Sequence, residues 1–261
     1  MRQVIILLTA IIFTIGCKPK APKENFSTVL ENYYEDYLKM YPFAATSNGD
    51  NRYNDQFPID ITASYREKQK AFYQKYLTAL EQYDRASLNE NDQTSYDILK
   101  WECEGSIASL NFPDYQMPMN QFWSKALELP QMGSGAGTQP FKTEKDYDNW
   151  LARMAQFPVW CDTAIANMKL GIQSGWILPQ VLAKKVVPQL TNIITKDASS
   201  NVFYTPIKNI PASFSAADKQ KYTEAYTKAI NEQILPSYQK LADFFEKEYI
   251  PKARTSHGIS A

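Results

Sequence analysis

A single imidazole limits the chemistry that this 261-residue sequence can perform. A zinc hydrolase of the His-Glu-x-x-His type needs two histidines one helical turn apart and a third ligand. His257 stands alone near the C-terminus, so these residues encode no such centre, and it reads as a tail residue. A Ser-His-Asp relay would have to use the same imidazole, and no Gly-x-Ser-x-Gly elbow is present. Paired carboxylates for sugar hydrolysis stay open, because 28 acidic residues offer many pairs and spacing alone does not choose among them. Cys103 and Cys161 both fall on apolar helix faces and read as buried free thiols, with a disulfide in an oxidising envelope as the alternative. The Gly133–Gly137 cluster lies between Leu129-Pro130 and Gln139-Pro140. A phosphate cradle needs a strand before the glycines and a helix after them, so a flexible loop is expected. Basic and acidic residues balance at 28 each, which gives no pointer to nucleic acid or to an acidic partner.

Cys17 carries a different chemistry. Arg2 precedes an apolar run, Val4 to Ile15, of about a dozen residues, too short for a comfortable membrane span. Gly16-Cys17 follows and resembles the lipobox at which bacterial lipoproteins are cleaved and acylated; Thr14 departs from it, standing where an aliphatic residue is usual. The expectation is a signal peptide over residues 1–17, with Cys17 becoming the lipidated N-terminus and residues 18–24 (KPKAPKE) a tether. The protein would then sit on a bacterial envelope membrane, facing the periplasm or the surface.

The elements that must position any site are helical, and the fold class is all-α: long kinked amphipathic helices in a multi-helix array over residues 25–261. From Asn25 one face carries Leu30, Tyr33, Tyr34, Tyr37, Leu38 and Tyr41, and Pro42 ends it. Residues 43–63 hold Gly, Asn, Asp and Pro without a period and read as a loop. Ser64 with Glu67, and Ser87 with Glu90, are capping-box starts for two helices. The first carries Phe72, Tyr76, Leu80 and Tyr83, the second Tyr96, Leu99, Cys103 and Leu110, and their short join makes an antiparallel hairpin. Residues 111–142 break the rhythm. Thr143 with Asp146 then opens the longest pattern, with Tyr147, Trp150, Leu151, Met154, Phe157, Cys161, Ala164, Ile165 and Met168 on one side, a kink at Pro158 and a stop at Gly171. Pro179 starts a helix with Leu182, Val186, Leu190 and Ile193, kinked at Pro188. Ser215 with Asp218 caps the last, where Tyr222, Tyr226, Ile230, Ile234, Tyr238, Leu241, Phe245 and Tyr249 hold one face past Pro236.

The order of short motifs resembles one family. Asp146-Tyr147, Trp150-Leu151-Ala152-Arg153, Phe157-Pro158, Asn167-Met168-Lys169, Gly171, Gly175 and Pro179 are similar to the bacterial domain of unknown function 885 (DUF885) family. Tyr33-Tyr34, Tyr41-Pro42, Ala45-Thr46, Gly49-Asp50, Pro118-Met119-Asn120-Gln121 and the Tyr249–Gly258 stretch agree with it. The resemblance covers about residues 25–258. It implies a large helical lipoprotein with a zinc-peptidase-like motif in a C-terminal half that this chain does not reach, so zinc is expected only with that half. No catalytic or metal residue is then expected here, and a peptide is the implied substrate. The resemblance also marks Asn120, Gln121 and Arg153 as substrate-binding candidates. Arg153 has two readings: a solvated charge whose stem covers apolar surface, or a cleft-facing cation that pairs with a substrate carboxylate. The alternative for the whole is a non-catalytic binding or scaffold lipoprotein complete at this length.

Overall fold

The computed structural model describes residues 24–258; the signal peptide, Cys17 and the tether to residue 23 lie outside them. The regular structure of the described residues is all helical, with no strand and one isolated bridge between Pro179 and Arg254. None of their helices is long and apolar enough to cross a membrane.

Two apolar cores form. The smaller one joins α1 (Phe26–Met40), α3 (Ala63–Leu80) and α4 (Glu90–Ser109) through Phe26, Val29, Phe72, Tyr76, Leu80, Tyr83, Leu99 and Cys103. Arg66 at the start of α3 donates to the carbonyls of Leu110 (2.9 Å) and Phe112 (2.8 Å), just past the end of α4, so the two helices run antiparallel as expected. Their caps differ from the expected ones. Thr62, not Ser64, accepts from Tyr65 N–H, and Asn89, not Ser87, accepts from Asp92 N–H. Each true cap lies two residues from an S-x-x-E match and satisfies the N–H three residues after itself. Tyr34 is exposed, off the buried face of α1.

The larger core is built on α6 (Glu144–Ser174). Thr143 and Asp146 form the capping box, and Tyr147, Trp150, Met154, Phe157, Cys161, Ala164 and Met168 are buried in the expected phase. Leu151 is only half-buried at the edge of that face. The helix does not stop at Gly171, which is buried within it against the backbone of Trp176 and Gln116; it ends at Gly175, whose φ of 82° is the left-handed cap geometry that glycine adopts freely. Against α6 pack α9 (Ala216–Ala229) and α10 (Leu235–Phe244); α7 (Gln180–Thr191) lies on α10, and the single turn α8 (Thr205–Lys208) lies on α9 and accepts from the Tyr147 hydroxyl of α6 through Pro206 O, at 3.0 Å.

The last face is buried at every expected position from Tyr222 to Tyr249. Its mostly four-residue spacing would precess by about 40° per step around a regular α-helix. Wider π turns at Ile230–Ile234 and Phe245–Tyr249 hold that rotation back, and the first precedes Pro236, where an ordinary backbone bond is missing anyway. This is how one face survives the proline.

Two short helices occupy stretches without a readable period. α2 (Pro42–Ser47) starts on Pro42 itself, so that proline opens a helix as well as closing the preceding one. α5 (Lys125–Met132) is capped by Ser124 and contains Pro130. Pro130 has no N–H to give Ala126 O, and the Tyr238 hydroxyl donates to that carbonyl instead, at 2.6 Å. The glycine cluster that follows is packed at two points. A Cβ at Gly133 would fall 1.9 Å from the Trp150 ring, and one at Gly137 2.2 Å from Gln131 O. Close approach, more than flexibility, requires glycine there.

Candidate functional site

Arg153 is the most constrained polar residue of α6. It is 0% exposed. Its guanidinium donates to Gln56 O (3.0 Å), Gln139 Oε1 (2.7 Å), Pro42 O (3.1 Å), Tyr53 O (3.1 Å) and Thr46 Oγ1 (2.8 Å), and it lies 4.6 Å from the Phe43 ring centroid. Burial lowers its proton affinity from 12.5 to about 10, with Asp55 and Glu128 opposing the shift, so it remains charged at neutral pH. Both earlier readings are corrected. Arg153 is neither solvated nor open to a substrate carboxylate, because backbone carbonyls of residues 42–56 take up its donors. It pins α2 and the loop after it to α6.

Beside that pin lies a cleft of about 370 Å³ lined by Asp60, Ile61, Pro118, Phe122, Trp123, Lys125, Glu128 and Trp160 among others. A smaller hollow of about 220 Å³ shares Asp60, Lys125 and Glu128 with it and continues to Tyr41, Phe43 and Tyr65. Asp60 is placed by the turn into α3, where Ile61 O accepts from Asn167 of α6 at 2.8 Å. Burial raises the pKa of the Asp60 carboxyl above its usual value, against the opposing pull of Lys125 and of the Trp160 indole N–H at 3.4 Å. Lys125 and Glu128 share the first turn of α5 and pair at 2.7 Å, and the Lys125 ammonium sits 4.1 Å from the Phe43 ring centroid.

The rim is built by Asn120. Its Oδ1 accepts from the N–H groups of Phe122 (2.7 Å) and Trp123 (3.0 Å), closing a turn that leaves those rings 84% and 62% exposed. Asn120 therefore shapes the rim from one step behind it. Gln121 contributes its carbonyl to Gln189 Nε2 (2.9 Å), and its own Oε1 is buried without a partner. Neither residue lines the cleft. The residues that do line it, Asp60, Lys125, Glu128 and Trp160, were not legible in the sequence, since nothing in their spacing brings them together.

The donor set does not suit zinc. Among the described residues no group of three or more His, Cys, Asp or Glu is placed to hold a metal ion. His257 is exposed, beside Arg254 in a separate groove. Cys103 and Cys161 are free thiols in different cores, so they do not pair. Burial pushes Cys103 up to about 12 and Cys161 well above its ordinary value, which keeps both protonated where a ligand would need thiolate. The cleft itself offers a desolvated carboxyl, an ammonium–carboxylate pair and an aromatic rim, a set suited to holding a ligand.

A model of a bacterial protein family of unknown function, DUF885, matches residues 42–260. No curated protein matches the chain. Two solved structures share the fold, both named "putative lipoprotein". The one from Colwellia psychrerythraea is 15% identical with a TM-score of 0.69, covering 90% of this chain and 42% of that one. The other, from Shewanella oneidensis and of unknown function, is 16% identical with a TM-score of 0.61, covering 87% and 39%. The chain thus spans less than half the length of either.

Proposed function

Because the chain belongs to the bacterial family DUF885, we propose that it is an envelope lipoprotein held by an acylated Cys17, whose helical part supplies the substrate cleft of a peptidase-like protein. The cleft between Asp60 and Trp123 carries this reading, because it combines a half-buried carboxyl with exposed aromatic rings on a hydrogen-bonded turn. An extended peptide fits that chemistry: apolar side chains cover Phe122 and Trp123, while the Lys125–Glu128 pair meets backbone polar groups. Catalysis is assigned outside residues 24–258, whose donors do not make a zinc centre. The shared fold with two longer proteins named as lipoproteins supports both the envelope address and the partial role.

Titration of the purified protein with short unstructured peptides, read as tryptophan emission, tests the cleft. Trp123→Ala is expected to weaken binding at least tenfold, and Glu128→Gln by a smaller factor. Equal binding by wild type and Trp123→Ala removes the cleft from the reading. Cys17→Ser is expected to leave the protein uncleaved and unacylated, and intact mass of the membrane-extracted protein reads this directly. An acyl-free wild-type protein that retains Arg2 overturns the anchor.

A further inference from the structure

The outward face of α4 carries Ile98, Trp101, Gly105, Ala108 and, one turn past its end, Phe112, at three- and four-residue spacing. Leu99 and Cys103 fill the small core from the opposite face. Trp101 is 73% and Ile98 62% exposed, and nothing lies within 4 Å of the place a Cβ would take on Gly105. We infer that this face of α4 lies on a lipid bilayer surface, with Trp101 and Ile98 in the headgroup region. The inference rests on the reading that Cys17 is acylated.

The length of chain outside the described residues selects this occupant. The described chain begins against the first half of α4. The Tyr83 hydroxyl donates to Glu24 O, and the Phe26 ring is 6.3 Å from that of Tyr96 on α4. Seven residue steps separate Cys17 from Glu24, a reach of at most about 25 Å. A helix with its side chains is about 10–12 Å across, so a lipid on Cys17 keeps the far side of α4 within reach of the same membrane. An indole with an apolar body and one N–H donor suits the headgroup layer. The flanking carboxylates are neutralised, Asp97 by Arg85 at 2.6 Å and Glu104 by Lys100 at 3.8 Å. Lys18, Lys20 and Lys23 of the tether add attraction to anionic lipids.

The test reconstitutes the full-length acylated protein in phosphatidylethanolamine–phosphatidylglycerol vesicles with brominated acyl chains, which quench only tryptophans in the bilayer. Wild type is expected to lose about a fifth more emission than Trp101→Phe, one indole of five. Equal quenching of the two overturns the inference, whatever the anchor does. Cys17→Ser separates the two readings. If its intact mass lacks acyl chains that wild type carries, the anchor stands; if wild type carries none either, the acyl anchor fails, and the Trp101 comparison still decides the surface. A wild type that sediments in detergent at twice its mass, reduced to one copy by Trp101→Ser, makes this face a dimer contact and also overturns the inference.

Discussion

Arg153 and Thr46 stand 107 positions apart in the chain, yet the guanidinium Nη2 donates to the hydroxyl oxygen at 2.8 Å in the interior. The same guanidinium holds the carbonyls of Pro42, Tyr53 and Gln56, and these bonds tie α2 and the loop after it to α6. A buried charge of this kind is held by its acceptors, and those acceptors depend on it in return.

Arg153→Met removes the donor and leaves three backbone carbonyls and Gln139 Oε1 without it. Denaturation in urea should show a loss of about 3–5 kcal/mol. Arg153→Lys should recover only part of it, because an ammonium lacks the planar fork that reaches several acceptors at once. A loss of less than about 1 kcal/mol for Arg153→Met would show that the pin is dispensable.

The phase of α6 makes a second comparison. Met154 is fully buried between Trp150 and Phe157 on that face, whereas Asp148 is exposed and 3.7 Å from Lys221. Met154→Ala should cost about 2–5 kcal/mol through lost packing and a residual cavity. Asp148→Ala should change stability by about half a kcal/mol, as expected of an exposed ion pair. Leu151 is a poorer probe than either because it is half-buried at the edge. Equal melting temperatures for the two variants would contradict the phase.

The contrast between helix faces and site residues follows from how far each signal travels along the chain. Ser215 with Asp218, and Thr143 with Asp146, could be read because cap and partner are three residues apart. The Tyr222–Tyr249 face could be read because its period repeats. α2 and α5 could not: one is six residues long, the other eight with a proline inside, too short to show a period. The role of Arg153 was hidden because four of its five acceptors come from residues 97 to 111 positions away, and three of those are main-chain carbonyls. A carbonyl has no letter in a sequence. The cleft was hidden for the same reason, since Asp60 meets Trp160 across 100 positions.

Alkaline solution should weaken the fold earlier than an ordinary tyrosine or thiol count implies. Burial raises Cys103 from 9.0 to about 12, and Tyr147 and Tyr249 from 10.0 to about 12. Between those limits the unfolded chain has released protons that the folded protein still binds, so stability falls as pH rises. It is fully present below about pH 9 and falls progressively to about pH 12. Arg153, lowered from 12.5 to about 10, acts in the opposite sense above pH 10, one group against several. Urea midpoints measured from pH 7 to 11 check the slope, and a rising midpoint above pH 9 would contradict it.

Asp60 joins stability to the proposed cleft. Burial disfavours its ionised form, with Glu128 adding repulsion, while Lys125 and the Trp160 indole oppose them. The folded protein therefore holds the Asp60 proton to higher pH than the unfolded chain. The stability from this group is present below its ordinary value of 3.8 and is lost as pH rises through the raised folded value. At neutral pH the charged carboxyl is a net cost to folding. Asp60→Asn removes that charge at nearly constant volume and should stabilise the protein by about 0.5–2 kcal/mol at pH 7. The gain should shrink toward zero as the solution approaches pH 3.8, where wild type is protonated as well. A residue kept at a cost to the fold is expected to have another use, so the same variant should bind peptides more weakly while melting higher. Urea midpoints at pH 7 and pH 4, together with peptide titration, give both readouts. A variant that is less stable at pH 7 would mean that Asp60 is held by its neighbours more strongly than burial opposes it, and one that binds as well as wild type would remove the carboxyl from the cleft's chemistry.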